Sequence, residues 1–380
     1  MPSSARFLFA LSLSVFCFAT SAHAEQGVSA DKIVIGISTN LTGPSSNRAK
    51  EIKVAMDTVF ERVNRAGGIN GRKLTTIVYD DAYLPEKAVQ NAKKLLDQDK
   101  AFVLYGFFGA AVSKAMLPFV AATGVPFLFP SSGSTAIRRP VVKNIFNVRP
   151  GYDTETRTLV NYLVKERGFK DIAVLNQDDS LGQEGRSGVQ KALAALELTL
   201  KVAGSYSKTT GDIAPAFEQI QAKSPQAVIV CGMSEPAAAL AKRARLEHKN
   251  WVIAATTPVG GSELLRKGGA DVEEMILSQS FPSPEANLAL NKQMKADAVA
   301  TGRKVEDLNV EGYANALVFV EGLKRAGKDL TRASLVSALE SLGQFEIGGL
   351  KMFFGPESHE ALDSAFLLVV RGGKYVDMPK

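Results

Sequence analysis

Residues able to carry chemistry on their own are scarce in this chain. Its 380 residues include three histidines and two cysteines. His23 belongs to an N-terminal segment read below as removable, and His248 and His359 lie far apart, each in a polar setting, so neither a metal site nor a Ser-His pair is offered. Strand-end glycines occur at Gly106 and Gly109 and again at Gly182, Gly185 and Gly188, but neither set has the G-x-G-x-x-G spacing of a dinucleotide site. There is no G-K-[ST] phosphate loop and no G-x-S-x-G nucleophile elbow. Nor is there a low-complexity segment or a long block of one charge. No cofactor is called for.

What is present begins with an export signal. Arg6 precedes an apolar run from Phe7 to Phe18, and Ala22-His-Ala24 supplies small residues where a signal peptidase cuts. The run is shorter than the roughly 20 residues a bilayer crossing needs, so residues 1–24 read as a cleaved signal and the chain as exported in soluble form. Cys17 does not make a lipoprotein site, because Phe16 stands where a small residue is required. Its removal leaves Cys231 as the only thiol, so no intrachain disulfide forms. Net charge falls from +6 to about +5 with the loss of Arg6. The basic residues, such as Lys242, Arg243, Arg245 and Lys249, are spread on amphipathic helices without aromatic interleaving, which reads as a solvated face and not as a nucleic-acid surface.

A length of 380 residues at 46% hydrophobic content suits two cores. The runs 33–38 and 73–79 are β-branched segments that empty into polar loops and then helices, and 171–176 and 226–231 repeat the device. This predicts an α/β fold with two doubly wound parallel sheets. Ligands of such sheets bind beyond the carboxyl ends of the strands, so two facing sheets enclose a cleft.

In chain order the pattern predicts a strand at 33–39, a helix from 47 to 66 closed by Gly67-Gly68, and a helix opened by Pro85. A strand at 101–105, a helix at 112–122 and a strand at 125–129 follow, and 144–148 crosses to a second set. That set reads helix 153–167, strand 171–176, helix 183–196, strand 199–204, helix 213–222 capped by Asp212, strand 226–231, helix 235–247 and strand 251–255. Three helices near 285–300, 309–326 and 331–341 pack back on the first domain. The tail 350–376 reads as short antiparallel strands with a Gly372-Gly373 turn.

Two acidic pairs, Asp80-Asp81 and Asp178-Asp179, sit just past strand ends where cleft residues belong. Paired carboxylates serve as acid and base, and they also cap helices and tie loops at such corners. A secreted enzyme using Asp80 or Asp178 is therefore one reading, and structural carboxylates the other.

Taken together, Leu41-Thr-Gly-Pro44, Asn64-Arg-Ala-Gly-Gly-Ile-Asn-Gly-Arg72, Tyr79-Asp-Asp81 with Pro85-Glu-Lys-Ala88, and Val125-Pro-Phe-Leu-Phe-Pro130 form an ordered set. Leu181-Gly-Gln-Glu-Gly185, Asn309-Val-Glu-Gly-Tyr313 and Phe354-Gly-Pro356 extend it over essentially the whole processed chain. In order and spacing the set resembles the type I periplasmic solute-binding proteins of ABC importers, in particular the leucine/isoleucine/valine-binding family. The resemblance implies two lobes joined by three crossing strands, near 146–150, 277–281 and 353–356, that close on a small solute. Lobe 1 would comprise 25–147 plus 281–353, and lobe 2 would comprise 148–280 plus 354–380. The partners implied are a small-molecule solute and a membrane permease, with no nucleic acid. A sensor subunit reporting to a membrane receptor is the alternative.

The resemblance also implies where ligand contacts lie. The matching positions are Gly109 and Ala110 after the third strand, then Ser131, Ser132 and Gly133 after Pro130. Leu181 and Met233 stand where amino-acid binders carry aromatic residues, and Thr257 stands where they carry an acid. Arg48 replaces a frequent aromatic in the first loop and is positioned to face a carboxylate. Phe107 and Phe108 make the cleft apolar or fill the core, and Glu311 either supplies the missing negative charge or lies on a helix surface. A dry cleft holding an ammonium without an acid would incur a desolvation cost of several kcal/mol. The expected ligand is thus a hydrophobic or aromatic carboxylate, with a branched-chain or aromatic amino acid next.

Overall fold

Two β-sheets flanked by helices, each the product of alternating strand and helix, organise the computed structural model of the protein. It describes residues 25–43 and 46–378; the export signal, Cys17 and Pro44 lie outside the described residues. The first sheet contains β1 (Lys32–Thr39), β2 (Lys73–Asp80), β3 (Val103–Tyr105), β4 (Phe127–Leu128) and β5 (Ile145–Phe146), all parallel, in the order β2-β1-β3-β4-β5. The helices α1 (Ser46–Arg65), α2 (Pro85–Asp97) and α3 (Ala110–Thr123) connect them. After the first crossing, α4 (Tyr152–Asn161) leads into β6 (Ile172–Gln177), α5 (Ser180–Ala194), β7 (Val202–Tyr206), α6 (Ala214–Gln221), β8 (Ala227–Cys231), α7 (Ser234–Leu246), β9 (Val252–Ala255), α8 (Ser262–Gly268) and β10 (Ile276–Gln279).

The chain then returns through α9 (Ala289–Ala300), α10 (Val310–Ala326) and α11 (Arg332–Glu340) to the first sheet. There Phe319, Leu323 and Leu335 join Ile33, Ile35 and Phe60 in one core. A hairpin of β11 (Gly343–Ile347) and β12 (Leu350–Phe354) follows. Finally β13 (Phe366–Arg371) and β14 (Lys374–Asp377), turning at Gly372-Gly373, add antiparallel to β10 in the second sheet, whose order is β14-β13-β10-β9-β8-β6-β7. Two lobes with three passages between them result. Buried Ile, Val and Leu on both faces explain the near-continuous apolar strands, such as β8 and β6, since sheets covered on both sides need them.

Several local readings shift. β7 begins at Val202, because Leu198 and Leu200 pack beneath the preceding turn against the α5 side of the sheet. α4 ends at Asn161 and continues as a single π-turn over Tyr162–Glu166. Ile213 holds the N-cap position of α6, and Asp212 instead accepts from the Ala214 amide at 2.9 Å. β11 was not anticipated; its alternating burial pairs it with β12 and so places 350–354 beside the first lobe. His359, read from sequence as polar in setting, is buried and stacked on Phe146 at 3.9 Å, with a ring nitrogen 3.0 Å from the Ile145 carbonyl oxygen. Among the described residues no helix is long and apolar enough to cross a membrane.

Candidate functional site

Two of the three passages, the first and the last, run side by side. Asn147 bridges Glu360 in parallel, with the Ala361 amide donating to the Asn147 carbonyl at 2.8 Å. Strand-end loops of the first lobe meet those of the second above this hinge, and the lobes are closed on one another. Leu181 and Met233 from the second lobe share a buried cluster with Tyr83, Phe107, Phe108 and Ala110 from the first. At the rims, Glu184 of α5 accepts from the Ser134 hydroxyl at 2.6 Å and the Thr135 amide at 2.8 Å, and Ser262 of α8 donates to Glu51 of α1.

The expected residues fall into two adjoining groups. The apolar group holds Phe107, Phe108, Gly109, Ala110, Ser131, Ser132, Gly133, Leu181 and Met233. Phe107 is wholly buried and packs edge-on to Phe127 at 5.2 Å, whereas Phe108 packs on Tyr83 at 6.0 Å. Ser131 pairs with Phe108 in a parallel bridge, and its buried hydroxyl has no protein partner. Ser132 accepts from the Ser134 amide at 3.1 Å, which folds the loop back on itself.

The polar group holds Arg48, Thr257 and Glu311, which line one cavity of 190 Å³ with Glu51, Gln279 and Ser280. Arg48 and Glu311 pair with each other at 3.3 Å, both buried, so α10 presents Glu311 inward and not on a helix surface. Two charges that sequence reasoning missed complete the group. Arg149, on the first passage, lies 3.8 Å from Glu311 and 2.5 Å from Glu155, the latter in the first turn of α4. Glu155 also accepts from the Thr257 amide at 2.8 Å and the Ser280 hydroxyl at 3.1 Å. A carboxylate therefore does stand beside Thr257, supplied by another element. The chain of charges Arg48, Glu311, Arg149, Glu155 alternates in sign and sums to zero. Burial alone would lower the basicity of Arg149, but Glu311 and Glu155 raise it beyond the ordinary arginine value, so it stays cationic.

Among the described residues, buried polar atoms without a hydrogen-bond partner include the hydroxyls of Tyr83, Tyr105 and Ser131, Nε of Arg149, Oε1 of Glu311 and Nε2 of Gln279. Tyr105 stays protonated, since burial and the nearby Glu311 push its pKa well above 10.0. Such groups are uncommon in folded proteins and each costs about 1–3 kcal/mol when left unsatisfied.

The acidic pairs are occupied structurally. Asp80 accepts from the Leu41 amide at 2.8 Å and the Thr42 hydroxyl at 2.6 Å; burial alone would raise its pKa, but these bonds and the one from the Ala82 amide hold it at about 2. Asp81 takes the Ser38 hydroxyl and the Tyr83 amide, Asp178 the Lys208 amide, and Asp179 caps α5. Cys231 is buried, and burial pushes its thiol up to about 12. Among the described residues no three His, Cys, Asp or Glu are grouped to hold a metal ion.

Comparison with known proteins agrees with the two-lobed architecture. The leucine-, isoleucine-, valine-, threonine- and alanine-binding protein of Pseudomonas aeruginosa is 25% identical over 351 residues, 88% of this chain and 91% of that protein. A possible leucine/isoleucine/valine-binding protein from Rhodopirellula baltica superposes with a TM-score of 0.85 at 25% identity, covering 95% of this chain and 98% of the other. The fatty acid ABC transporter substrate-binding protein of Thermomonospora curvata shares the fold, with a TM-score of 0.84 at 23% identity over 93% and 92% of the two chains. The family and these relatives are binding proteins and not enzymes, which removes the reading of Asp80 or Asp178 as catalytic. Because the family model for periplasmic binding proteins matches residues 32–374, nearly all of both lobes, the chain belongs to the type I periplasmic binding proteins, in the branch that includes the Leu/Ile/Val binders.

Proposed function

We propose that this protein is the solute-binding component of an ABC importer of the branched-chain amino acid type, exported by cleavage after residue 24. It captures a small hydrophobic or aromatic carboxylate, or an amino acid carrying such a side chain, and passes it to a membrane permease. Ligand contacts to both lobes favour the closed state by their differential affinity, with the hinge at the three passages.

The observation that carries the ligand class is the set of unsatisfied buried atoms at the strand ends and passages between the lobes. Four of these, the hydroxyls of Ser131 and Tyr105, Arg149 Nε and Gln279 Nε2, donate hydrogen bonds, which suits an acceptor-rich carboxylate. The phenylalanine, leucine and methionine side chains around them suit an apolar remainder. Glu155 and Glu311 keep an amino acid within the proposal, because both present buried carboxylates beside Arg149, the type of group that pairs with an ammonium.

A thermal-shift screen of residues 25–380 against aliphatic and aromatic carboxylates and the amino acids tests this. A ligand at 100 times its dissociation constant stabilises by about 2.7 kcal/mol. Stabilisation by neither class removes the proposed solute. Uptake of the stabilising compound, lost on deletion of the gene and restored with it, tests the transport role; unchanged uptake refutes it.

A further inference from the structure

Three buried tyrosines meet at the interlobe face, and each lies against a glycine at the end of a strand or its loop. A Cβ on Gly109 would stand 2.1 Å from the Tyr83 ring, one on Gly133 2.4 Å from the Tyr152 ring, and one on Gly232 2.0 Å from the Tyr206 hydroxyl. Gly109 follows β3, Gly133 follows β4 and Gly232 follows β8, so the rings occupy the carboxyl ends of strands from both sheets, where α/β folds bind ligands. The motif positions for second-lobe aromatics hold Leu181 and Met233; these tyrosines bring aromatic surface to the same face from other elements.

Tyr83 is the most unusual of the three. It and Ala82 both take left-handed backbone conformations, with φ of 65° and 52°, which side-chain-bearing residues rarely adopt. Its ring is 1% exposed, packs on Phe108, and is covered from the second lobe by the Lys208 ammonium at 4.1 Å. Its hydroxyl has no protein partner, although Asp179, Tyr152 and Tyr206 all lie near enough to act on it electrostatically. Tyr206, by contrast, is engaged: its hydroxyl accepts from the Met233 amide at 3.1 Å and lies 3.4 Å from Gln177 Oε1. Tyr152 links the trio to the charged group, since the Arg149 guanidinium lies 5.7 Å from its ring centroid.

We infer that Tyr83, Tyr152 and Tyr206 form the side-chain subsite of the cleft, taking an aromatic ring whose far end bears a hydroxyl that pairs with Tyr83. The inference rests on the carboxylate reading above and extends it: the carboxylate end lies toward Arg149 and Ser131, and the ring lies against the tyrosines. In the closed structure these side chains are buried, so the ring enters when the lobes part and the tyrosines close over it. Strain at 82–83 and the glycine at 109 hold the Tyr83 hydroxyl ready for that contact. A buried donor left unpaired by the wrong ligand is how a site rejects an analogue lacking one hydroxyl.

Two matched pairs of probes test the subsite by titration calorimetry: phenylacetate against 4-hydroxyphenylacetate, and L-phenylalanine against L-tyrosine. Wild type is expected to bind the hydroxylated member of at least one pair at least tenfold more tightly. Tyr83→Phe keeps the ring and its packing, and should bring that ratio to about one while leaving the affinity for the unhydroxylated member within threefold. Equal affinity within each pair in wild type, or a ratio that survives Tyr83→Phe, overturns the subsite and leaves the carboxylate reading standing. Binding of leucine or an aliphatic carboxylate with no binding of the four aromatic probes does the same. Binding of no carboxylate at all overturns both. Tyr313→Phe, which removes a buried hydroxyl that donates to Asp297 outside the subsite, is a control for folding and packing; a loss of discrimination there equal to that in Tyr83→Phe also counts against the assignment.

Discussion

Replacing Glu155 by glutamine removes one charge from the hinge with little change in shape, and the consequence can be worked out from its four neighbours. One carboxylate oxygen receives Arg149 at 2.5 Å and the Ser280 hydroxyl at 3.1 Å; the other receives the Thr257 amide at 2.8 Å and lies 3.5 Å from the Ser278 hydroxyl. Glutamine can accept on one side only, so either Arg149 or the Thr257 amide loses its acceptor. Breaking a buried ion pair by removing one member typically costs about 3–5 kcal/mol. Arg149 keeps Glu311 at 3.8 Å and glutamine keeps one acceptor, which brings the expected loss to about 2–3 kcal/mol. With a urea m-value of about 3 kcal/mol/M for a chain of this size, the midpoint falls by about 1 M. Urea titration of the unliganded protein measures it, followed both by circular dichroism and by fluorescence of Trp251, the single tryptophan, which packs on Phe217 in the second lobe. Coincident curves establish that one transition is being read. Adding Arg149→Met to Glu155→Gln should recover much of the loss, since removing both charges leaves neither stranded. A single-variant loss below about 0.5 kcal/mol, no more than an ordinary surface substitution produces, or a double variant equal to the sum of the singles, refutes the charge chain.

Arg48→Ala should weaken binding of an anionic ligand at least about tenfold, the effect of one charge-assisted contact, and should also lower the urea midpoint because Glu311 loses its nearer partner; unchanged affinity removes Arg48 from the site. Glu184→Ala deletes the carboxylate that spans the cleft to Ser134 and Thr135. It is expected to lower the closed population of the unliganded protein, read by energy transfer between dyes on the two lobes, and to weaken ligand binding by about tenfold with stability nearly unchanged. Gly109→Ala places a Cβ 2.1 Å from Tyr83 at φ 101° and should cost about 2–4 kcal/mol, against about 1 kcal/mol for Gly124→Ala, where φ is 65° and the nearest atom is 3.7 Å away; equal losses in urea refute the close approach. For Asp80→Asn the pH sets the sign. The carboxyl is held at about 2 against an ordinary 3.8, so its stabilisation is present above pH 4 and lost as the pH falls toward 2. The gap in unfolding midpoint between wild type and variant should therefore be widest near pH 6 and narrow below pH 3, and a gap independent of pH refutes it.

Most of the fold was legible because it is written in period and punctuation. Strands covered on both faces demand continuous apolar runs, as in β8, and the glycines at 67–68 and 372–373 mark turns that require positive φ. What escaped was fixed by distant partners. β11 is a five-residue strand whose only ladder is its hairpin with β12, and nothing local distinguishes its alternation from a loop. The burial of His359 depends on Phe146, more than two hundred residues earlier in the chain.

The site shows the same division more sharply. Matching motifs pointed to loops that meet between the lobes, and the structure brings Arg48, Thr257 and Glu311 to one cavity. A motif assigns chemistry to a sequence position, however, whereas a cleft requires only that the chemistry reach a point in space. Thr257 stands at the position of an acid, yet Glu155, about a hundred residues away, presents its carboxylate to the Thr257 amide. Leu181 and Met233 stand at positions of aromatics; Tyr152, from a helix start, shares their cluster, and Tyr206, from a strand end, accepts from the Met233 amide. The available local signals were slight: an Arg-Pro in the first passage with a glutamate one turn into the next helix, and a tyrosine just past a strand-end acidic pair. Each becomes informative only when the sheets set strand ends from both lobes face to face. Ligand specificity in such a cleft can therefore change by exchanging which element carries a charge or a ring, with the fold and its recognisable motifs left intact.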